Sequence, residues 1–247
     1  MSFWSACTAA ARSRQLPRWL AAVFALWFVV WAISPNNLQD FFLEHVLTVA
    51  LGAFLWGTRR AFRLTNLSYS LIFVFMCLHV VGAHYTYAEV PYERWVSRVA
   101  AIFGNPDFSL GAAFGWKRNH FDRLVHFSFG LLNAYPVREI FVRVARVRGF
   151  WSYYLPLDVM ISFSAGYEML EWGVALVFGG ATAETYLGTQ GDVWDAHKDM
   201  ALATLGGLIA MLATAVVHWR FRRDFAAEFA ESLRPASAEV RGPDSGK

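Results

Sequence analysis

The residues of this chain that could do chemistry are acids and histidines at helical spacing in otherwise apolar stretches. Asp122 and His126 are four positions apart and Arg123 and His126 three, so these side chains share a helix face. A carboxylate that orients an imidazole is an arrangement used in general acid–base catalysis, and an arginine can bind a phosphate or carboxylate through two hydrogen bonds. The candidate catalytic residues are Asp122, Arg123, His126, Glu168 and Glu171.

A second set of residues has donor atoms suited to a divalent cation. Asp192, Asp195 and Asp199 follow the spacing i, i+3, i+7, which forms one stripe if a helix begins early enough. Carboxylate oxygens, with Glu168 as a further ligand, suit a hard divalent cation. The first two aspartates could instead cap a helix. The candidate metal ligands are Asp192, Asp195, Asp199, His84 and His120, and the identity of a metal is left open.

The same residues also allow structural interpretations. Glu168 or Glu171 could form a salt bridge to Arg123, which would hold two helices together without any catalytic role. Asp158 and Arg138 lie at similar depth on neighbouring predicted helices, and they predict a structural ion pair. Catalytic and structural explanations therefore remain open at the level of single residues.

The composition indicates that membrane helices carry these residues. The 247 residues are 56% hydrophobic and 17% aromatic, and only 17% are charged, against about 25% in a soluble domain. This composition argues against a disordered chain or a nucleic-acid module, and two cysteines cannot build a disulfide scaffold. The net charge of +3 is explained by arginines beside membrane spans. The expected partner is the lipid bilayer, with no nucleic acid.

Six helices are predicted to cross the membrane, because a bilayer core takes about 20 apolar helical residues. The spans 19–34, 65–84 and 200–219 contain no Asp, Glu, Lys or Arg. The other three spans, 38–58, 121–143 and 151–178, each contain charges. The predicted fold class is all-α, a polytopic bundle. It divides the chain into a cytoplasmic N-terminus (1–18), a transmembrane domain (19–219) and a cytoplasmic, disordered tail (220–247).

Arginines predict the orientation of this bundle, because basic residues flank the cytoplasmic ends of membrane spans. Groups of arginines precede the first span and follow the second, fourth and sixth, so both termini are predicted inside. Five helices then bring ionisable groups to the outer face, which a random scatter would not do. Of these groups, Glu44 most simply lies at the interface. The connection 85–120, between spans 3 and 4, is partly apolar and predicts an interfacial or re-entrant segment with a turn at 104–107.

Four sequence blocks resemble the YjdF-like family of bacterial inner-membrane proteins, over about residues 20–215. The blocks are GAHYTYAEVP (82–91), RNHFDRLVHF (118–127), YEMLEW (167–172) and GTQGDVWDAHKDM (188–200). The resemblance implies a helical protein of the bacterial inner (plasma) membrane, and it implies no reaction. Because the blocks coincide with the outer-face residues, the resemblance favours a functional site there.

A weaker resemblance is to VanZ-like membrane proteins, which are linked to glycopeptide tolerance. The segment DRLVHF (122–127) is similar to their opening motif, with arginine in place of lysine, and Glu168 or Glu171 corresponds to their middle acid. The segment 199–206 is similar to their closing motif, but Ala203 stands where that motif has asparagine. This difference weakens any inference of shared polar chemistry.

Together these patterns predict a multi-pass inner-membrane protein with a polar acid, histidine and arginine site at its outer (periplasmic) face. One hypothesis is an enzyme that acts on a lipid or lipid-linked headgroup. A second is a non-catalytic binding or accessory protein in envelope stress or drug tolerance. A third is a transporter, which is disfavoured because the chain has no internal repeat and no comparable ionisable cluster at the membrane midplane.

Overall fold

The computed structural model describes residues 15–180, 187, 189–222 and 224–232, and this part of the chain contains helices and no strand. The all-α prediction is therefore confirmed for these residues. The predicted N-terminal segment before residue 15 and the tail beyond residue 232 lie outside them. The helices are α1 (Leu16–Trp31), α2 (Leu38–Thr58), α3 (Asn66–His84), α4 (Tyr92–Ile102), α5 (Leu110–Phe114), α6 (Phe121–Arg143), α7 (Trp151–Phe178), α8 (Asp195–Phe221) and α9 (Phe225–Ser232).

The helix bounds follow the predicted spans closely. Helices α2, α6 and α7 begin and end where the sequence predicts, whereas α1 begins earlier, at Leu16, with a proline in its first turn. Helix α8 begins at Asp195, which adds more than one turn before the predicted span. Helices α2, α3 and α8 are long and apolar enough to cross a membrane, and α1 is a shorter apolar helix.

Helix α6 is the centre of the bundle and packs against α3, α7, α8 and α9. Its closest partner is α8, because glycines let the two backbones touch. A Cβ atom added to Gly130 would lie 1.9 Å from the carbonyl oxygen of Ala203, and one added to Gly206 would lie 2.1 Å from that of Phe127. No larger residue fits at either position without moving a backbone. One turn from the Gly130–Ala203 contact, toward the N-terminal ends of both helices, His126 and Asp199 lie side by side.

Helices α1 and α2 form the other side of the bundle, and both pack on α3. Side-chain caps define where α2 and α3 begin. The Asn37 side chain accepts hydrogen bonds from the N–H groups of Gln39 and Asp40, and the Thr65 hydroxyl accepts one from Ser68 N–H. These caps satisfy N–H groups in the first turns of α2 and α3 and so stabilise the start of each helix.

The connection between α3 and α6 contains the two short helices α4 and α5. The Glu93 carboxylate in α4 accepts hydrogen bonds from the N–H groups of Leu110 and Gly111 at the start of α5, at 2.9 and 2.7 Å. The predicted turn at 104–107 is present, with Gly104 at φ +84°. Beside this turn, the side chains of Ile102 and Phe103 are exposed. An exposed apolar tip suits the predicted interfacial segment.

Arg138, at the other end of α6, pairs with a residue that the sequence did not suggest. Its guanidinium is buried and lies 2.7 Å from the Asp224 carboxylate and 4.7 Å from the Tyr153 ring centroid. The expected pair with Asp158 does not form among the described residues. Helix α8 ends just before Asp224, which places this carboxylate against α6. In the same region α9 packs on α6, with Phe229 buried, so that part of the predicted tail is helical.

Candidate functional site

The candidate site is centred on three residues from α6 and α8. Asp122, His126 and Asp199 each offer one donor atom, and these atoms all lie within 4.8 Å of one another. His126 Nε2 is 3.6 Å from the Asp122 carboxylate. The side chains of His126 and Asp199 are buried. Two of the predicted catalytic residues and one predicted metal ligand thus occupy the same place.

Helix α7 adds two glutamates to this group. Glu168 Oε1 lies 3.7 Å from His126 Nε2. Within the described part of the chain, neither this oxygen nor Asp199 Oδ1 has a hydrogen-bond partner, although both are buried. Glu171 follows Glu168 at i+3 in α7, on the same side of the helix. We call these residues the carboxylate–histidine cluster: Asp122, His126, Glu168, Glu171 and Asp199.

The cluster brings four acids together with one imidazole. In the residues that the structure describes, none of its four acids forms a salt bridge to a lysine or arginine. A buried charge without a counter-charge costs several kcal/mol. The four acids can therefore stay together only if some hold protons or if a cation lies between them.

Basic residues lie around Asp192 and Asp195, in what we call the ion-pair network. Arg118 donates to both carboxylate oxygens of Asp195, at 2.5 and 2.9 Å, and Arg123 donates to Asp192 at 2.6 Å and to Asp195 at 2.9 Å. Lys198 Nζ donates to Asp192 at 2.5 Å. Arg123 thus pairs with these aspartates and not with Glu168 or Glu171, and Arg118 is a partner that the sequence analysis missed.

The network also accounts for the electrostatics of Asp192, which precedes α8. The hydrogen bond from Lys198, then that from the Trp194 N–H and that from Arg123, hold the pKa of Asp192 well below its usual range. The Asp192 carboxylate is therefore ionised and bound to the side chains of Lys198 and Arg123. Asp192 and Asp195, predicted as metal ligands, are thus placed where they hold Arg118, Arg123 and Lys198.

The two histidines predicted as metal ligands lie apart from the three donor atoms that meet at the cluster. His84 Nδ1 is 2.7 Å from the Trp31 carbonyl oxygen, at the C-terminal ends of α1 and α3. His120 Nδ1 is 3.4 Å from Arg123 Nη1, and its ring lies 4.5 Å from that of Trp116. Burial, followed by the nearby Arg123 and Arg118, lowers the pKa of His120. Its imidazole therefore favours the neutral form beside two guanidinium groups.

Glu44 of α2 also belongs near the cluster, although the sequence placed it only at the interface. Its buried carboxylate accepts a hydrogen bond from Tyr167 at 2.6 Å and a longer one from Tyr87 at 3.4 Å. The Tyr87 hydroxyl in turn lies 2.6 Å from His79 Nδ1. The Tyr167 ring lies 5.9 Å from that of His126, which connects Glu44 to the cluster. The sequence feature that could have indicated this contact is Tyr167, a hydrogen-bond donor that directly precedes Glu168 in the block 167–172.

The arrangement supports two kinds of chemistry. Two carboxylates and one imidazole within 4.8 Å can ligate a divalent cation, with Glu168 as a fourth donor or as a base for a bound water. Alternatively, acids so close together can share and pass protons. In both cases the cluster is positioned by packing of α6, α7 and α8.

Comparisons with known proteins identify the chain as a relative of inner-membrane proteins. Residues 16–220 match the model of the family DUF2238, described as a predicted membrane protein. The chain is 35% identical over 206 residues to the inner membrane protein YjdF of Escherichia coli (strain K12), which covers 83% of this chain and 91% of that protein. No solved structure matches the chain. The expected YjdF-like resemblance is confirmed, while the VanZ-like one stays a prediction.

Proposed function

We propose that this chain, which belongs to the DUF2238 family of predicted membrane proteins, binds a divalent cation in the carboxylate–histidine cluster and acts there on a lipid or lipid-linked headgroup. Its place in the inner membrane follows from its relatives and from its membrane-length helices.

The topology that we propose has six spans, formed by α1, α2, α3, α6, α7 and α8, with both termini inside. Arginines follow α2 and α6, as the positive-inside rule requires, whereas Arg118 and Arg123 at the other end of α6 are paired with Asp195 and Asp192. The cluster then lies near the outer boundary, since Glu168 is 17 residues along α7, about 25 Å from its start. This depth would let a headgroup of the outer leaflet reach the acids.

The single observation that carries the cation site is the meeting of Asp122, His126 and Asp199 within 4.8 Å. The buried, unbonded oxygens of Glu168 and Asp199 strengthen it, because oxygens without a donor favour a positive ligand. A cation would also offset the repulsion among the acids of the cluster.

The division of roles follows from the geometry. Asp122, His126 and Asp199 would hold the cation, which supplies charge stabilisation and lowers the pKa of a bound water. Glu168, adjacent to His126 Nε2, would take the proton from that water. Exposed apolar side chains on the same turns of α7, Met169 and Leu170, would face the lipid from which the substrate enters.

Metal analysis of the purified, monodisperse protein tests the cation site. We expect about one divalent cation bound per wild-type chain and loss of that cation in Asp199→Asn, because the variant removes a buried ligand. Asp158→Asn is the matched control: it removes an acid of α7 about 15 Å from Glu168 and should leave the metal content unchanged. Equal metal content in wild type and Asp199→Asn would refute the site.

Turnover is tested separately with Glu168→Gln. In proteoliposomes supplied with the cation, this variant should retain metal but cleave or transfer a lipid-linked substrate at least about 100-fold more slowly, the range expected for a lost general base. If the wild-type protein binds the cation and turns over no lipid-linked headgroup, the enzyme proposal fails and the binding or accessory role replaces it.

A transporter is the second candidate, favoured by one contact. Glu168 Oε1 lies 3.7 Å from His126 Nε2, so an acid of α7 and an imidazole of α6 are close enough to share a proton. If the purified protein lacks a cation, proton-coupled solute flux in proteoliposomes should be measurable and should stop in Glu168→Gln. Absence of flux in the wild type would eliminate this candidate.

A further inference from the structure

A large groove lies at the opposite end of the bundle from the carboxylate–histidine cluster. It has a volume of about 1260 Å³ and lies between α1, α2 and α3, where α1 and α2 both pack on α3. Its walls are apolar. The side chains that line them include Phe24 of α1, Leu51 and Leu55 of α2, and Ile72 and Met76 of α3.

Arginines line the mouth of this groove. Arg18 precedes the apolar part of α1, Arg59 and Arg60 follow α2, and all three side chains are exposed. None of the three forms an ion pair with an acid in the described residues. Arg63 and Arg143 also line the mouth, and Arg143 is already bound to Glu139. An apolar groove thus ends in concentrated positive charge.

The length of the groove matches one leaflet of a bilayer. Along α2, the lining residues run from Thr48 to Arg59, about 16 Å at the helical rise of 1.5 Å per residue. Half of a hydrocarbon core of about 30 Å is about 15 Å. An acyl chain that begins at the arginines would therefore end near the depth of Thr48.

We propose that this groove binds an anionic glycerophospholipid, with its phosphate on Arg18, Arg59 and Arg60 and an acyl chain between α1 and α2. Charge complementarity selects the headgroup, because clustered arginines attract anionic lipids and bind phosphate by hydrogen bonds. The apolar walls select a lipid over a soluble phosphate. That the lipid belongs to the cytoplasmic leaflet follows from the proposed topology, whereas binding itself does not depend on it.

Native mass spectrometry of the full chain tests the headgroup selectivity. Wild-type protein should retain phosphatidylglycerol at least about tenfold better than phosphatidylcholine with the same acyl chains, because each basic residue adds attraction for an anionic lipid. The triple variant R18Q/R59Q/R60Q should lose this preference. Glycerol phosphate without acyl chains should not compete.

A charge-matched control separates a defined site from general attraction to the membrane surface. R146Q/R148Q/R220Q removes the same number of exposed arginines from positions outside the groove. This control should bind phosphatidylglycerol as the wild type does. If it loses the preference as completely as R18Q/R59Q/R60Q, or if the wild type shows no preference, the proposal is overturned.

Two glycines of α2 test the acyl chain. A side chain at Gly52 would point into open space within the groove, and Gly57, also with open space, does not line it. Gly52→Trp should reduce phosphatidylglycerol binding at least about tenfold by filling the space of the chain, whereas Gly57→Trp should not. Equal binding by both variants would show that no acyl chain enters the groove.

Discussion

At the residue scale, three aspartates with regular spacing serve different purposes. Asp192 precedes α8 and Asp195 is its first residue. Both pair with Arg118, which precedes α6, and with Arg123 in the first turn of α6. Asp199 lies one turn further in and is buried beside His126. The two outer acids therefore meet cations of the chain, while the inner one is left with other acids.

The lowered pKa of Asp192 leads to a pH prediction. A carboxylate whose pKa falls on folding contributes stability above its usual pKa near 3.9, and this contribution is lost only as the pH falls through the folded value. Asp192→Asn should therefore lower the melting temperature at pH 7, and by the same amount at about pH 5. The difference from wild type should shrink only in more acidic solution.

Thermal unfolding in detergent, followed by circular dichroism, measures this difference. Asp107→Asn serves as control, because Asp107 lies in the exposed turn between α4 and α5. It should change the melting temperature little at either pH. A difference between wild type and Asp192→Asn that disappears already at pH 5 would contradict the role given to Lys198 and Arg123.

At the element scale, contact between α6 and α8 decides whether the cluster exists. Gly130, one turn from His126, and Gly206, about two turns from Asp199, allow the two backbones to touch. The two helices run in the same direction, so the contact at these glycines also brings their first turns together. Helix α7 runs in the opposite direction and brings Glu168 to the same level.

Gly206→Ala tests this contact. The added methyl group would lie 2.1 Å from the Phe127 carbonyl oxygen, so the helices must separate. We expect the free energy of unfolding to fall by about 1–3 kcal/mol, and cation binding to weaken because Asp199 moves away from His126. Unfolding by denaturant and metal titration measure the two effects.

Gly173→Ala in α7 is the matched control, because an added Cβ there meets nothing within 4 Å. Alanine should be neutral or stabilising by up to about 1 kcal/mol at this helical position. A loss of stability in Gly173→Ala equal to that in Gly206→Ala would show that helix flexibility, and not close packing, explains the effect.

At the scale of the whole molecule, the proposed topology gives the two ends different environments. The carboxylate–histidine cluster would face the periplasm and the arginine-lined groove the cytoplasm. A single cysteine at Val193, which is 87% exposed, should react with a membrane-impermeant maleimide in cells with permeabilised outer membranes. One at Phe150, 69% exposed, should react only after the inner membrane is opened.

The labelling is done in a background without Cys7 and Cys77, the two native cysteines. Reaction at Val193→Cys and protection at Phe150→Cys are the expected pattern. The reverse pattern would place the cluster at the cytoplasmic face. Equal reaction at both positions from outside would show that α7 does not cross the membrane between them.

Much of this molecule could be predicted from the order of residues along the chain. The ends of α2, α6 and α7 were predicted because long apolar runs meet caps and charged residues at recognisable points. The level of Glu168 and His126 was predicted because helical rise converts residue number into depth. These are properties of single helices, and local sequence determines them.

Contacts between helices were decided only by the tertiary structure. Spacing did not predict that Arg138 pairs with Asp224, that Glu44 accepts a hydrogen bond from Tyr167, or that Asp195 pairs with Arg118. The physical reason is that packing sets the rotation of each helix about its axis and its distance to its neighbours. A shift of one residue changes the facing direction by about 100°, so only the packed bundle shows which acids share a site.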